Sequence, residues 1–149
     1  MIVAPLRKGY REKKDRIFKV RSIVEGRTVS GPVLFSSQPI AFLQGVDPEK
    51  GIVIEPKHQI YGKPFESRVL IFPHGVGSSV GAYVIYRLKK KGRAPIAIIN
   101  QRSDITTASG CAIAGIPLVD MISGTINQFE RARSIIVNSK KSEIEVVDW

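Results

Sequence analysis

Residues 69–99, VLIFPHGVGSSVGAYVIYRLKKKGRAPIAII, indicate the fold class of this chain. It begins with a continuous apolar run at Val69–Phe72 and ends with another at Pro95–Ile99. Between them, apolar residues recur at helical spacing from Ser79 to Lys91. Because strand, helix and strand follow one another within about 30 residues, the pattern predicts parallel strands joined by a right-handed crossover.

The two ends of the predicted helix carry residues that are typical of helix termini. Ser78 is predicted to be the N-cap and Gly92 the C′ residue. The lysines at positions 89–91 fall in the last turn, where the helix dipole favours cations, and we interpret them as a solvated face. The helix therefore has well-marked boundaries in the sequence.

The rest of the chain predicts an α/β fold. Short β-type runs separated by glycines, among them Ile40–Leu43, fill residues 17–72 and predict a small β-sheet or barrel half. A second parallel βαβ crossover unit is expected, with a short helix within Ser103–Gly110 and a strand at Ile116–Val119. Further β-type runs lie at residues 134–137 and 144–147. Residues 1–16 predict a basic N-terminal arm, and residues 17–149 a single domain.

Composition excludes several classes of protein. The 149 residues include 23 Lys and Arg against 13 Asp and Glu, for a formal net charge of +10. A single cysteine, Cys111, allows no internal disulfide and cannot by itself hold a structural zinc or an iron–sulfur cluster. The apolar runs are too short to span a bilayer, and the N-terminal residues do not resemble a secretory signal. We therefore expect a cytoplasmic protein that contacts no membrane.

The loop between the first strand and the helix, residues 72–81, is the best candidate for chemistry. Gly75 and Gly77 allow an anion to approach the backbone, and the N–H groups of a first helical turn favour phosphate or carboxylate. In that positive potential the hydroxyl of Ser78 could act as a base or nucleophile. The alternative is that Ser78 only caps the helix.

Known nucleotide motifs do not match this loop. A P-loop needs a lysine where Gly77 stands, and the dinucleotide fingerprint matches only weakly, although Arg102 could meet a 2′-phosphate. His74 could orient or deprotonate Ser78, or have no role. His58 is predicted to serve a turn. Cys111 is predicted to be a packed residue rather than a reactive thiol.

Several ordered motifs nevertheless match a known family. The chain resembles the small, swivel-domain subunit of the aconitase X family, and within it most nearly the archaeal branch that dehydrates phosphomevalonate. The matching segments are SSQPIAFLQGVDPEKG (36–51), IYGK (60–63), VLIFPHGVGSSVGAYVIY (69–86), GRAP (92–95) and GIPLVD (115–120). Together the resemblance covers about Phe18 to Asp120.

This resemblance implies a swivelling β/β/α domain that docks on a separate large catalytic subunit, as a heterodimer or higher assembly. The large subunit would carry a 4Fe-4S iron–sulfur cluster, and this chain would bind no metal. The implied activity is that of a two-chain hydro-lyase, active only with its large subunit. It would convert (R)-5-phosphomevalonate to trans-anhydromevalonate 5-phosphate in the archaeal mevalonate pathway of isoprenoid biosynthesis.

By position in the family motif, Ser78 is the implied proton acceptor. We predict Gly77, Ser79, Val80 and Gly81 as the substrate-binding residues, with the amides of the first helical turn holding an anionic group. The family loop commonly reads Gly-Lys-Gly-Ser-Thr, whereas here Val76 replaces the lysine and Ser79 the threonine. Ser79 therefore offers a second hydroxyl that could replace Ser78.

Two other functions remain open from the sequence. One is the small subunit of a cis-3-hydroxy-L-proline dehydratase, although a basic chain favours the phosphorylated substrate. The other is a non-catalytic basic module that binds RNA or an acidic protein; we expect no nucleic-acid partner, because Tyr10 is the only aromatic residue of the arm. The arm and the segment after about Ile122 look longer than in typical members, and we assign them to subunit docking as a hypothesis.

Overall fold

The computed structural model describes residues 16–149, and within them most strands form one closed barrel. The barrel strands, in spatial order, are β1 (Ile17–Val24), β7 (Leu118–Met121), β6 (Ala97–Asn100), β5 (Val69–Phe72), β2 (Val29–Phe35), β8 (Ser134–Asn138) and β9 (Glu143–Asp148). Strands β3 (Val46–Asp47) and β4 (Ile52–Val53) form a separate hairpin. The helices are α1 (Phe42–Gly45), α2 (Gly81–Lys90) and α3 (Ile105–Ala114), and a 3₁₀ turn spans Ile126–Phe129.

Both predicted crossovers are confirmed. Strands β5 and β6, joined through α2, are parallel, and so are β6 and β7, joined through α3. Strand β2 pairs in parallel with β5 on the other side. The carboxyl ends of these four strands therefore lie along one edge of the barrel, which we call the carboxyl rim. The predicted α/β fold class is confirmed, but strands of the barrel half and of the crossover units share one closed barrel.

Alternation along the strands produces two hydrophobic cores. Residues such as Ile71 and Ile99 point into the barrel and pack with Phe129. Their neighbours, such as Leu70 and Ile98, point outward and are covered by α2 and α3. A parallel strand buried on both faces reads as a continuous apolar run, which is why Val69–Phe72 was recognisable in the sequence.

Helix α2 begins later than predicted. The N-cap position is occupied by Val80, so the prediction that Ser78 is the N-cap is wrong. The amides of Gly81 and Ala82 donate to carbonyl oxygens three residues earlier, so a 3₁₀-like turn precedes the helix. At the other end the predicted C′ residue Gly92 is confirmed: it has φ 69°, and the Arg93 amide reaches back to the Leu88 carbonyl.

Two further expectations are corrected. The run Ile40–Leu43 does not form a strand, because Phe42 packs on Phe72, with ring centroids 5.8 Å apart, at the start of the short helix α1. The segment after Ile122 was assigned to docking, but it supplies β8 and β9, which close the barrel between β2 and β1. Barrel closure therefore accounts for that segment.

The basic arm falls almost entirely outside the described residues. Only Arg16 is described: its carbonyl accepts a hydrogen bond from the Val146 amide, and its guanidinium donates to the Val147 carbonyl. None of the helices described between residues 16 and 149 has the length and apolar character of a membrane span.

Candidate functional site

The loop Pro73–Val80, which we call the glycine loop, joins β5 to α2 at the carboxyl rim. On one side Ile40 holds it: the Ile40 amide donates to the His74 carbonyl (3.3 Å) and the Val76 amide donates to the Ile40 carbonyl (3.0 Å). On the other side the Gln101 amide donates to the Pro73 carbonyl (3.0 Å). The loop is therefore fixed between the segment that precedes α1 and the segment that follows β6.

Asp104 makes the shortest hydrogen bond to the glycine loop. Its side chain caps α3 by accepting from the Thr107 amide (3.0 Å), and it also accepts from the Gly75 amide (2.6 Å). A Cβ at Gly75 would lie 2.8 Å from both the Asp104 carboxylate and the Thr107 hydroxyl, so only glycine fits. Burial opposes ionisation of Asp104, but hydrogen bonds from the Thr107 and Gly75 amides outweigh it and lower its pKa.

Sequence reasoning missed this role of Asp104. An Asp immediately before a helical stretch is a recognisable N-cap signal, and it could have predicted the contact to Thr107. Nothing local could have predicted the contact to Gly75, which is 29 residues away in the chain.

Ser78 and Ser79 both lie exposed at the end of the glycine loop. The Ser78 hydroxyl oxygen accepts a hydrogen bond from the Val80 amide (3.2 Å). The Gly81 amide donates to the Ser78 carbonyl (3.0 Å), so the amides of Val80 and Gly81 are both used within the turn. The amides of Gly77, Ser78 and Ser79, by contrast, have no acceptor among residues 16–149. The free donors thus lie slightly earlier than the sequence suggested.

Gly77 gives this turn its shape. Its φ of 89° belongs to the left-handed region, which side chains with a Cβ rarely adopt. The turn lets three successive amides, from Gly77 to Ser79, stand at the protein surface. Such a group of N–H donors suits an anion or a developing negative charge.

The other candidates from the sequence have structural roles. His74 does not bond to Ser78; its Nδ1 donates to the Gly75 carbonyl (2.9 Å). His58 holds a turn as predicted, because one ring nitrogen donates to the Pro39 carbonyl and the other accepts from the Ile60 amide. Cys111 is fully buried, and burial raises its pKa, which confirms that it is a packed residue.

The donor set of the described chain does not fit an iron–sulfur cluster. Residues 16–149 contain no group of three or more His, Cys, Asp or Glu side chains that could hold a metal ion. The single thiol, Cys111, is buried in the core between the sheet and the helices.

A second polar group lies on the carboxyl rim, two strands away from β5. Arg21 of β1 binds both oxygens of Asp120 through Nε (2.9 Å) and a terminal nitrogen (2.7 Å). The Ser103 amide also donates to Asp120 (2.9 Å). Burial opposes the charge on Asp120, but these hydrogen bonds outweigh it and lower its pKa. Beside this pair is an open cleft of about 480 Å³, into which Arg102 also projects.

Comparison with known proteins agrees with this fold. Residues 17–146 match the aconitase X swivel domain. The chain belongs to this family. The swivel domain of a solved relative, described as Thermococcus kodakaraensis aconitase X in its holo-form, superposes with a TM-score of 0.79 at 38% identity, over 89% of this chain and 98% of that one.

Curated members of the aconitase X family include close relatives of this chain. The phosphomevalonate dehydratase small subunit of Methanosarcina acetivorans is 45% identical over 130 residues, which cover 83% of this chain and 90% of the relative. The protein of the same name from Thermococcus gammatolerans is 41% identical over 128 residues, covering 86% and 95%. The resemblance expected from the sequence is thus confirmed.

Proposed function

We propose that this chain is the small subunit of a two-chain hydro-lyase that dehydrates (R)-5-phosphomevalonate to trans-anhydromevalonate 5-phosphate. Ser78 is the proposed proton acceptor. The observation that carries the proposal is the position of the Ser78 hydroxyl, exposed on a fixed loop beside backbone N–H donors. Relatives at 40–46% identity that carry the name phosphomevalonate dehydratase small subunit support this reaction.

In this reaction Ser78 would remove a proton from the carbon next to the one that loses its hydroxyl group. A serine hydroxyl is a weak base, and it works only where its alkoxide is stabilised. The Val80 amide already donates to the Ser78 oxygen, and the positive end of α2 lies behind it. The Ser78 alkoxide takes the proton as the C–H bond breaks, and the electron pair of that bond forms the carbon–carbon double bond. The C–O bond breaks at the same time, and the departing hydroxide takes a second proton, from solvent or from an acid of the large subunit, to become water.

The remaining donors of the loop suit the anionic parts of the substrate. Gly77 and Ser79 are exposed, their amides have no acceptor among residues 16–149, and Ser79 adds a second hydroxyl. Val80 and Gly81 contribute the backbone of the turn that aims these donors. The proposed substrate-binding residues are therefore Gly77, Ser79, Val80 and Gly81.

The exposure of the glycine loop supports the need for a second chain. A serine base works only where water is excluded, and Ser78 is exposed in this chain. Apolar side chains share its rim: Val76 is 43% exposed, Val80 49% and Ile105 80%. Exposed apolar groups of this kind mark interaction surfaces. We therefore propose that a large subunit covers this rim, holds the iron–sulfur cluster with its own residues and completes the site.

The decisive experiment reconstitutes the chain anaerobically with its candidate large subunit and measures loss of water from 5-phosphomevalonate, with each chain alone as control. We expect turnover only in the mixture. Ser78→Ala should lower kcat by about 100-fold or more, as expected for removal of a general base. Assembly, followed by size-exclusion chromatography, should be unchanged.

Ser109→Ala is the matched control, since Ser109 is an exposed serine on α3 and has no place in the proposed site. Ser79→Ala distinguishes the two loop hydroxyls: if it abolishes turnover while Ser78→Ala does not, Ser79 is the base. If the complex dehydrates cis-3-hydroxy-L-proline but not phosphomevalonate, hydroxyproline is the substrate and the proposed one is wrong. Full activity of both alanine variants would overturn the proposed mechanism.

A further inference from the structure

The cleft beside β7 has the chemistry of a phosphate site. Its lining consists of Arg21, Gln101, Arg102, Asp120, Met121 and Ile122. Two guanidinium groups and one carboxylate leave one positive charge in the cleft. A guanidinium presents a planar fork of N–H donors that matches phosphate oxygens, which makes it the preferred side chain for phosphate recognition.

The two arginines of this cleft differ in whether their guanidinium groups already have a protein partner. Arg21 is held by Asp120, which binds it through two hydrogen bonds and is itself only 1% exposed. Arg21 is thus oriented, and part of its fork is already occupied. Arg102 is exposed, and no ion pair of Arg102 is found among residues 16–149. Arg102 is therefore the cation that can bind a ligand without first giving up a protein partner.

Hydrogen bonds connect Arg102 directly to the glycine loop. The amides of Gln101 and Arg102 both donate to the Pro73 carbonyl, at 3.0 and 3.3 Å. Strand β6, which ends beside Arg102, is the immediate neighbour of β5, which leads into the loop of Ser78. The cleft lies at β7, two strands from β5, which at about 4.8 Å between neighbouring strands is about 10 Å from the end of β5. A ligand that contacts both the cleft and Ser78 must therefore extend across the end of β6.

The substrate of the proposed reaction has the matching shape. In 5-phosphomevalonate the carbon that loses its proton is separated from phosphorus by three further carbons and an ester oxygen. The glycine loop itself offers no permanent cation, because position 76 is Val and His74 bonds to the backbone. A phosphate group bound only by that loop would have amides but no full positive charge.

We propose that Arg102, with Arg21 oriented beside it by Asp120, binds the phosphate group of the substrate in this cleft while the reacting carbons lie against Ser78. The inference rests on the proposed function, since it takes the phosphorylated substrate from there. It adds a specificity-determining residue on a different strand from the base. Arg102 acts on binding and takes no part in proton transfer.

The test compares Arg102→Gln with Arg27→Gln in the reconstituted complex. Arg27 is also exposed, but it lies on the loop between β1 and β2, at the opposite edge of the barrel. We expect Arg102→Gln to raise KM for 5-phosphomevalonate about tenfold or more with kcat changed less than about twofold, because a hydrogen-bonded charge on a ligand is lost. Arg27→Gln should leave KM unchanged. The proposal would be overturned if Arg102→Gln left KM unchanged, or if the only effect of the substitution were weaker association of the two subunits.

A second measurement does not depend on turnover. The full ¹⁵N-labelled chain is titrated with inorganic phosphate, and we expect amide shifts in residues 101–103 and 120–122 that disappear in Arg102→Gln. If the complex fails to dehydrate phosphomevalonate but these shifts depend on Arg102, the proposed function fails and the phosphate site stands. If the complex is active and neither KM nor the shifts depend on Arg102, the phosphate site alone is refuted.

Discussion

Replacement of Asp104 by alanine tests how the glycine loop is held in place. Asp104 accepts hydrogen bonds from two amides, one at the start of α3 and one at Gly75 of the loop. Loss of an N-cap costs about 1 kcal/mol. Loss of a hydrogen bond to a charged group costs about 1.5–3 kcal/mol, and the Gly75 amide, which is buried, would be left without a partner. We therefore expect Asp104→Ala to lower the free energy of unfolding by about 3 kcal/mol.

For a domain of this length that loss corresponds to a fall in Tm of about 6–12 °C. Differential scanning calorimetry at pH 7 measures it, with Glu25→Ala as the control, because Glu25 is an exposed acidic residue whose loss should cost less than about 0.5 kcal/mol. Asp104→Asn keeps one acceptor oxygen and should lose roughly half as much. In the reconstituted complex, Asp104→Ala should also lower kcat/KM, since the loop of Ser78 loses its attachment to α3.

The pH dependence of this effect has a definite sign. The pKa of Asp104 is lowered in the folded state, so its ionised form contributes stability above the ordinary Asp pKa of about 3.9 and loses it as the pH falls through the folded value. The stability difference between the wild-type chain and Asp104→Ala should therefore shrink below about pH 4. A Tm loss below about 2 °C at pH 7, or a difference that does not change on acidification, would show that Asp104 does not hold the loop as an ionised acceptor.

Two further variants test packing and charge. Gly110→Ala should lower the free energy of unfolding by about 1–3 kcal/mol, because the new Cβ would lie 2.7 Å from Ile85 Cδ1 where α2 crosses α3. Urea denaturation measures this free energy, and a higher value in the variant would contradict the packing described here. Asp120→Asn should cost about 1–3 kcal/mol at pH 7, because Arg21 and the Ser103 amide both need an acceptor there. Since the pKa of Asp120 is also lowered, that cost should decline below about pH 4, and a cost independent of pH would show that its charge is irrelevant.

Much of the crossover unit could be predicted from the sequence. Strand β5 is buried on both faces and reads as an apolar run, and Gly92 ends α2 by its left-handed conformation. These features depend on residues that are close together in the chain, where steric preference and periodicity act directly. The family resemblance carried Ser78 into the candidate site in the same way, because its motif is one continuous stretch.

Other local signals were overruled by packing. Ile40–Leu43 has the composition of a strand, yet Phe42 gains more by packing against Phe72, and the segment turns into α1. Ser78 is a residue type that commonly caps helices, but the turn at Gly77 places it before the helix. Its hydroxyl oxygen accepts a hydrogen bond from the Val80 amide instead. Propensity is a weak preference that burial of one aromatic ring or one backbone turn can reverse.

The crossover unit, the family motifs and the basic charge follow from the amino-acid sequence alone, since each depends on residue type and short spacing. Three features required the folded chain: the closure of the barrel by β8 and β9, the hydrogen bond from Gly75 to Asp104, and the pairing of Arg21 with Asp120, 99 residues away, near Arg102. Such pairs form where strand register and burial bring distant residues together, and no local pattern encodes that register. The proposed base thus came from a continuous motif, whereas the proposed phosphate site came from the fold.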